Sequence, residues 1–299
     1  MGLGGVAMAQ DKPISIYFVG CAAPTGFHGH RARGAEEAGA NLGVKVTYVF
    51  PDRLIIPNQV QKIEEAIAAQ ADGIAVCAFA EDFDAYGTLF DLASAVTRCP
   101  EVLEPQRAAL SALWRDKQLQ YMWLRALQGC YVDFWQVTGD SLDFSLESLG
   151  LELPGLRDRL MDLYRTLAAF PEVPGVLQAL RAAGFRTAIL SNGSPAMLES
   201  AVAAAGLEGL LDAVLSADAV ATFKTDHRVY QHALDVLGVP AASVSFQSSN
   251  AWDAHGAADF GLQVVWCNRY GQRRERLPGK PDHEIRTLAE LPALLAPPA

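Results

Sequence analysis

Short apolar runs alternate with stretches of helical periodicity over the first 80 residues. Ile14–Val19 reads as a strand, Arg31–Leu42 as a helix, Val44–Phe50 as a strand, Asn58–Ala69 as a helix and Gly73–Phe79 as a third strand. Continuous apolar strands joined by helices predict a parallel sheet covered on both faces. Three strands and two helices amount to a βαβαβ fragment, half of a doubly wound domain. Between about Leu92 and Tyr164 the strand signals vanish, and Arg107–Leu127 and Cys130–Leu149 carry broad apolar helical faces. From Val173 the alternation resumes as helix Gly175–Ala183, strand Arg186–Ser191, helix Ala196–Ala205, strand Ala213–Ser216, helix Arg228–Leu237, strand Val244–Ser248, helix Ala254–Asp259 and strand Gln263–Asn268. The expected architecture is an α/β fragment over 1–80, then a doubly wound parallel α/β domain over 81–299 with a helical cap inserted at about 95–164. In such sheets ligands sit beyond the carboxyl ends of the strands.

A chain of 299 residues, 51% of them hydrophobic, is long enough to bury two cores. Its net charge of -10 and pI near 5.1, with no clustered Lys or Arg, argue against nucleic acid and anionic membrane as partners. A small anionic substrate remains compatible with that charge, because a few local cations decide the field inside a pocket. The five cysteines are odd in number, widely spaced and lack a CxxC pair, which is the usage of reduced thiols in the cytoplasm. No apolar run reaches the roughly 18 residues of a membrane helix. Ala7-Met8-Ala9 is like the cleavage end of a secretory signal, but no basic segment precedes it and the apolar stretch is short, so a cytoplasmic location is expected.

Four polar groups fall where the chain leaves a strand in the second unit. They are Asp84 with Thr88, where Gly87 permits a tight turn; Ser191-Asn192-Gly193; Lys224, ahead of a helix containing Tyr230; and Ser248-Ser249-Asn250-Ala251-Trp252-Asp253. Singly, Lys224 or Arg115 reads as a solvated charge, Trp252 as core and Asp84 as a turn carboxylate. Jointly, two carboxylates, hydroxyl and amide groups and a lysine at successive strand ends form a catalytic set.

These residues resemble the motifs of the haloacid dehalogenase superfamily: a nucleophilic Asp, a Ser or Thr, a Lys, and one or more acids. The likeness is strongest to the L-2-haloacid dehalogenases, through FDAYGTLFD at Phe83–Asp91, WRDKQLQYMWLR at Trp114–Arg125 and SSNAWDAHGA at Ser248–Ala257. It implies a hydrolase that converts small L-2-haloalkanoic acids to D-2-hydroxy acids through an aspartyl ester, with no cofactor and no metal, and weakly a homodimer. Carried over by position, Asp84 is the nucleophile. Arg115 receives the halide with Asn192 near it, and Phe134, Trp252 and Leu119 line the substrate. Ser191 and the main chain around Tyr86 hold the substrate carboxylate, Lys224 keeps Asp84 ionised, and Asp253, oriented by Ser248 and Asn250, positions the hydrolytic water. Thr88 and Tyr230 complete the shell.

A phosphatase of the same superfamily needs a second acid two residues after the nucleophile, and that position is Tyr86. Two residues depart from the dehalogenase pattern. Thr225 stands where Pro is usual, which is expected to loosen that loop, and Asp116 adds an anion beside Arg115. The N-terminal segment resembles the opening of sugar-type periplasmic solute-binding proteins, through KPISIYFVG at Lys12–Gly20, HGHRARGAEEAG at His28–Gly39 and IPNQVQKIEEAIAAQADGIAV at Ile56–Val76. A solute-binding module with an inactive passenger is therefore a second reading of the chain. His28-Gly29-His30 lacks a third metal ligand and reads as a helix-entry turn. Ala80-Glu81-Asp82 separates the third apolar strand from Phe83, so that strand belongs to the N-terminal fragment or replaces the missing strand before Asp84. Either case leaves the placement of Asp84 open to an error of an ångström or more.

Overall fold

The computed structural model describes residues 14–19, 26–50, 62, 65–69, 73–76, 80–103 and 106–295. The chain divides between Ala78 and Phe79 into two compact units. In the first, strands β1 (Ser15–Val19), β2 (Lys45–Val49) and β3 (Gly73–Val76) form a parallel sheet in the order β2-β1-β3, with helix α1 (Gly26–Leu42) joining β1 to β2. Helix α1 starts five residues before the expected Arg31, so His28 and His30 lie on its backbone and not in an entry turn; their side chains lie outside the described residues. Of the expected helix Asn58–Ala69, Lys62 and residues 65–68 are helical among the described residues.

The second unit holds a six-stranded sheet in the order β6-β5-β4-β7-β8-β9, all parallel. The strands are β4 (Ala80–Phe83), β5 (Arg186–Ser191), β6 (Ala213–Ser216), β7 (Val244–Ser248), β8 (Gln263–Cys267) and β9 (His283–Ile285). The first strand of the unit is thus central, successive strands add on one side of it and then on the other, and the crevice at this reversal is where such sheets bind ligands. β3 pairs with β1, so the third apolar run belongs to the N-terminal sheet, and Ala80-Glu81-Asp82-Phe83 is itself the strand before Asp84. The side chains of Glu81 and Asp82 lie outside the described residues.

The helical insertion comprises α2 (Ala93–Thr97), α3 (Gln106–Gln128), α4 (Phe134–Leu149) and α5 (Leu156–Arg165). α4 begins at Phe134 and not at Cys130, because Asp133 caps it by accepting the Gln136 N–H at 2.8 Å. α5 was not expected from the sequence; its buried Leu156, Leu160, Met161 and Tyr164 recur at helical spacing. Helices α6 (Val173–Ala182), α7 (Pro195–Ala204), α8 (His227–Leu237), α9 (Ala251–Phe260) and α10 (Leu291–Leu295) complete the unit. Its core packs Ala188, Leu190, Val244, Phe246 and Val264 of the sheet against Val229, Ala233 and Ala254 of α8 and α9. Each large apolar side chain so buried contributes roughly 1.5–3 kcal/mol before chain entropy is charged against it. Cys99, Cys130 and Cys267 are free thiols.

Candidate active site

The register of β4 brings the polar groups together. Phe83 pairs with Ile189 of β5 and Gln247 of β7, so the next residue, Asp84, emerges level with Ser248 and one step short of Ser191. The Asp84 N–H donates to the Gln247 carbonyl at 2.9 Å, which extends the ladder to the nucleophile position itself. Gly87, at φ +87°, then turns the chain in the left-handed region that favours glycine.

Asp84 is buried and its carboxylate is surrounded by donors. Lys224 Nζ donates to Oδ1 at 3.1 Å, and Asn250 Nδ2 at 2.6 Å and Ser248 Oγ at 3.4 Å donate to Oδ2. Lys224 Nζ also donates to Asp253 Oδ2 at 3.0 Å and to the Leu190 carbonyl at 2.7 Å, using its three protons on two carboxylates and a main-chain oxygen. Asp253 Oδ1 accepts from the Tyr230 hydroxyl at 2.8 Å. The orientation of Asp253 therefore comes from Tyr230 and Lys224. The expectation that Ser248 and Asn250 orient it is corrected: both side chains reach Asp84, because Ser248 ends β7 directly beside it.

Electrostatics follow from burial. Lys224 and Asp253 are fully shielded from water. Burial pushes the Asp253 carboxyl up to about 6, against the attraction of Lys224 and with the repulsion of Asp84. Burial alone would lower the Lys224 ammonium, but Asp253 and Asp84 outweigh it and its pKa is raised, so it is a fixed cation. Burial, and then the Asp253 charge, hold the Tyr230 phenol well above its ordinary value, as burial and then Tyr164 do for Tyr86. Both phenols stay protonated at neutral pH; Tyr230 donates to Asp253, whereas the buried Tyr86 hydroxyl has no hydrogen-bond partner among the described residues.

Asn250 links this cluster to the cap. Its Nδ2 donates to Asp84 and to the Tyr86 carbonyl at 2.9 Å, while its Oδ1 accepts from Arg115 Nη2 of α3 at 3.0 Å. Asn192 Oδ1 accepts the Lys224 main-chain N–H at 2.9 Å and its Nδ2 points to Met122 Sδ of the cap at 3.0 Å. Ser191 Oγ accepts the Gly193 N–H at 3.1 Å. Thr88 Oγ1 accepts the Ser249 N–H at 2.7 Å, tying the loop after β4 to the loop after β7. Phe134 is buried 6.0 Å from the Tyr86 ring. Leu119 lies half-buried on α3. Trp252 packs edge-on to Trp123 at 5.4 Å and shares with Lys224 the wall of a cleft of about 570 Å³. Arg115, Gln118 and Tyr164 line a second cleft of about 710 Å³. Asp116 is exposed.

Several contributors escaped the sequence reading. Gln118 is buried and accepts from Arg115 Nη1 at 2.8 Å; its place three residues after Arg115 on one helix is the signal that points to it. Tyr164, on the unexpected helix α5, stacks 5.7 Å from Tyr86. Gly193 makes room for Tyr86, since a Cβ there would lie 2.7 Å from the ring and 2.9 Å from its hydroxyl. Arg269 donates to the Thr88 carbonyl at 2.8 Å and pairs with Glu172 at 2.5 Å. The Thr225 side chain occupies the space a Cβ on Gly256 would need.

The arrangement is a carboxylate poised at a strand end, a second carboxylate across a lysine, and a guanidinium entering from the cap. It can attack an electrophilic carbon, stabilise a leaving anion and activate water. The sequence model of the haloacid dehalogenase-like hydrolases matches residues 83–261. Among curated proteins, (S)-2-haloacid dehalogenase 1 of Pseudomonas sp. (strain CBS-3) is 48% identical over 214 residues, covering 71% of this chain and 94% of that one. (S)-2-haloacid dehalogenase 4A of Burkholderia cepacia is 46% identical over 215 residues, covering 72% and 93%. Among solved structures, the L-2-haloacid dehalogenase from Xanthobacter autotrophicus with chloropropionic acid covalently bound superposes with a TM-score of 0.69 at 37% identity, covering 73% of this chain and 98% of that one.

Proposed function

The chain belongs to the haloacid dehalogenase-like hydrolases, and from that membership we propose that it hydrolyses the carbon–halogen bond of small L-2-haloalkanoic acids to give D-2-hydroxy acids. The observation that carries this reading is the Asp84 carboxylate held by Lys224, Asn250 and Ser248, with Tyr86 and not an acid two residues on.

Asp84 attacks C2 of the substrate from the face opposite the halogen. A carbon–oxygen bond forms as the carbon–halogen bond breaks, and the halide leaves with the electron pair toward Arg115. Ser191 and the main chain around Tyr86 hold the substrate carboxylate, and Phe134, Leu119 and Trp252 give the apolar walls in which these charges act more strongly. Asp253 then takes a proton from water, whose oxygen attacks the Asp84 carbonyl carbon. The ester bond breaks on the Asp84 side, the hydroxy acid departs, Asp84 returns as a carboxylate, and one proton is released with the halide. Displacement occurs once at C2, so configuration inverts there. A phosphatase reading is disfavoured by Tyr86, which stands two residues after Asp84 where that chemistry needs a second acid.

The homodimer is part of the proposal, supported by the exposed apolar Leu124 and Leu127 on α3; equilibrium sedimentation tests it. The free thiols support a cytoplasmic location. The N-terminal unit reads as the opening of a solute-binding lobe, on its sequence segments and parallel strand order, with no sugar site assigned to it.

The test is halide release from each enantiomer of 2-chloropropionate. The L form is expected to react and the D form not to, and Asp84→Asn is expected to lower turnover by at least about a thousandfold. No release from either enantiomer by folded protein contradicts the reading, and magnesium-dependent phosphate release from a phosphomonoester would favour a phosphatase.

A further inference from the structure

Trp114, Gln118 and Met122 recur every four residues along the buried stripe of α3, and Arg115 stands one residue off it. Gln118 is polar yet only 1% exposed, and a buried amide left unpartnered is destabilising. Its bonds are therefore informative. Nε2 donates to Thr138 Oγ1 at 2.8 Å and to the Tyr164 hydroxyl at 3.1 Å. Thr138 in turn donates to the Phe134 carbonyl at 2.6 Å and accepts Trp114 Nε1 on its own carbonyl at 3.0 Å. The amide is thus anchored to α4 and α5, and its Oε1 is left to accept Arg115 Nη1 at 2.8 Å.

The other end of the guanidinium rests on Asn250 Oδ1. Both acceptors are neutral amide oxygens, and among the described residues Arg115 forms no ion pair with a carboxylate. A carboxylate in either place would orient the guanidinium equally well but would cancel its charge.

We propose that Gln118 is a positioning residue that holds Arg115 between cap and core while leaving its positive charge uncompensated for the departing halide. The proposal rests on the dehalogenase reading and adds the reason for an amide at this position. Gln118→Glu keeps the shape and can accept from the Tyr164 hydroxyl, but it places an anion on Arg115. Gln118→Met keeps the volume and loses the bonds.

The experiment measures kcat and KM on L-2-chloropropionate and L-2-bromopropionate, inhibition by bromide, and the thermal midpoint, for the full chain and both variants. Both variants are expected to lose about ten- to a hundredfold in kcat, more with the chloride because it is the poorer leaving group. In Gln118→Glu, bromide inhibition weakens by about tenfold or more while KM for the haloacid changes far less, a split that a purely structural role would not produce. Parental bromide inhibition in folded Gln118→Glu overturns the proposal even if kcat falls. Should that variant not fold, parental kcat and parental bromide inhibition in Gln118→Met overturn it. A parent protein that releases no halide from either substrate would instead remove the dehalogenase reading.

Discussion

In the proposed reaction Asp253 has to be ionised to take a proton from water, yet burial raises its carboxyl to about 6. Turnover is therefore expected to fall about tenfold per pH unit below about pH 6, and Asp253→Asn should lose this acid limb together with most of its activity; a kcat–pH profile checks both. The sign for stability is opposite. The folded state binds the Asp253 proton more tightly than the unfolded chain does, so its contribution is full below the ordinary carboxylate range and is lost as pH rises through about 6. Lys224 compensates for two buried carboxylates, and Lys224→Met is expected to cost about 3–5 kcal/mol in urea unfolding at neutral pH. Asp84 is legible in the sequence through the motif segment Phe83–Asp91, and Lys224 and Asp253 through the turns that follow apolar strands. Which donor serves which carboxylate is not legible. Ser248, Asn250 and Asp253 are near neighbours in the chain, and only the register of β7 against β4 sends the first two to Asp84.

Strands β5, β6 and β7 lie at the predicted positions, β5 and β6 on the apolar runs 188–190 and 213–215 and β7 on the alternation of Val244 and Phe246 with polar residues. β4 has no such run; Ala80-Glu81-Asp82-Phe83 becomes a strand because β5 and β7 both pair with it, a tertiary decision that local pattern does not carry. β9, three residues at the sheet edge, is too short for periodicity to reveal. α5 begins after Gly155 at φ +74° with no side-chain cap, so its start is unmarked in the sequence. These omissions hid Tyr164, and with it the packing that fixes Tyr86. The turn after β5 offers a direct test at this scale. Gly193→Ala would drive a methyl group against Tyr86, with an expected loss of about 1–3 kcal/mol in urea unfolding and a drop in kcat as the ring shifts over the Asp84 loop.

All the groups assigned to chemistry, and the strand that carries Asp84, lie in the unit after Phe79. The sequence marks the join through the three residues before Phe83, but it does not reveal that those residues supply the central strand themselves. A chain beginning at Phe79 is therefore expected to fold and to release halide with kcat/KM within about threefold of the full chain, measured side by side. The account as a whole depends on Asp84 forming a bond to carbon. A single turnover in heavy-oxygen water, with enzyme in excess over L-2-chloropropionate, reads this directly by mass spectrometry of the Asp84 peptide and of the product. If Asp84 is the nucleophile, the label enters the Asp84 carboxylate and the first product molecule carries the light oxygen it took from Asp84. Label in the product hydroxyl with none in Asp84 would mean that water attacks C2 itself, and would contradict the assignment.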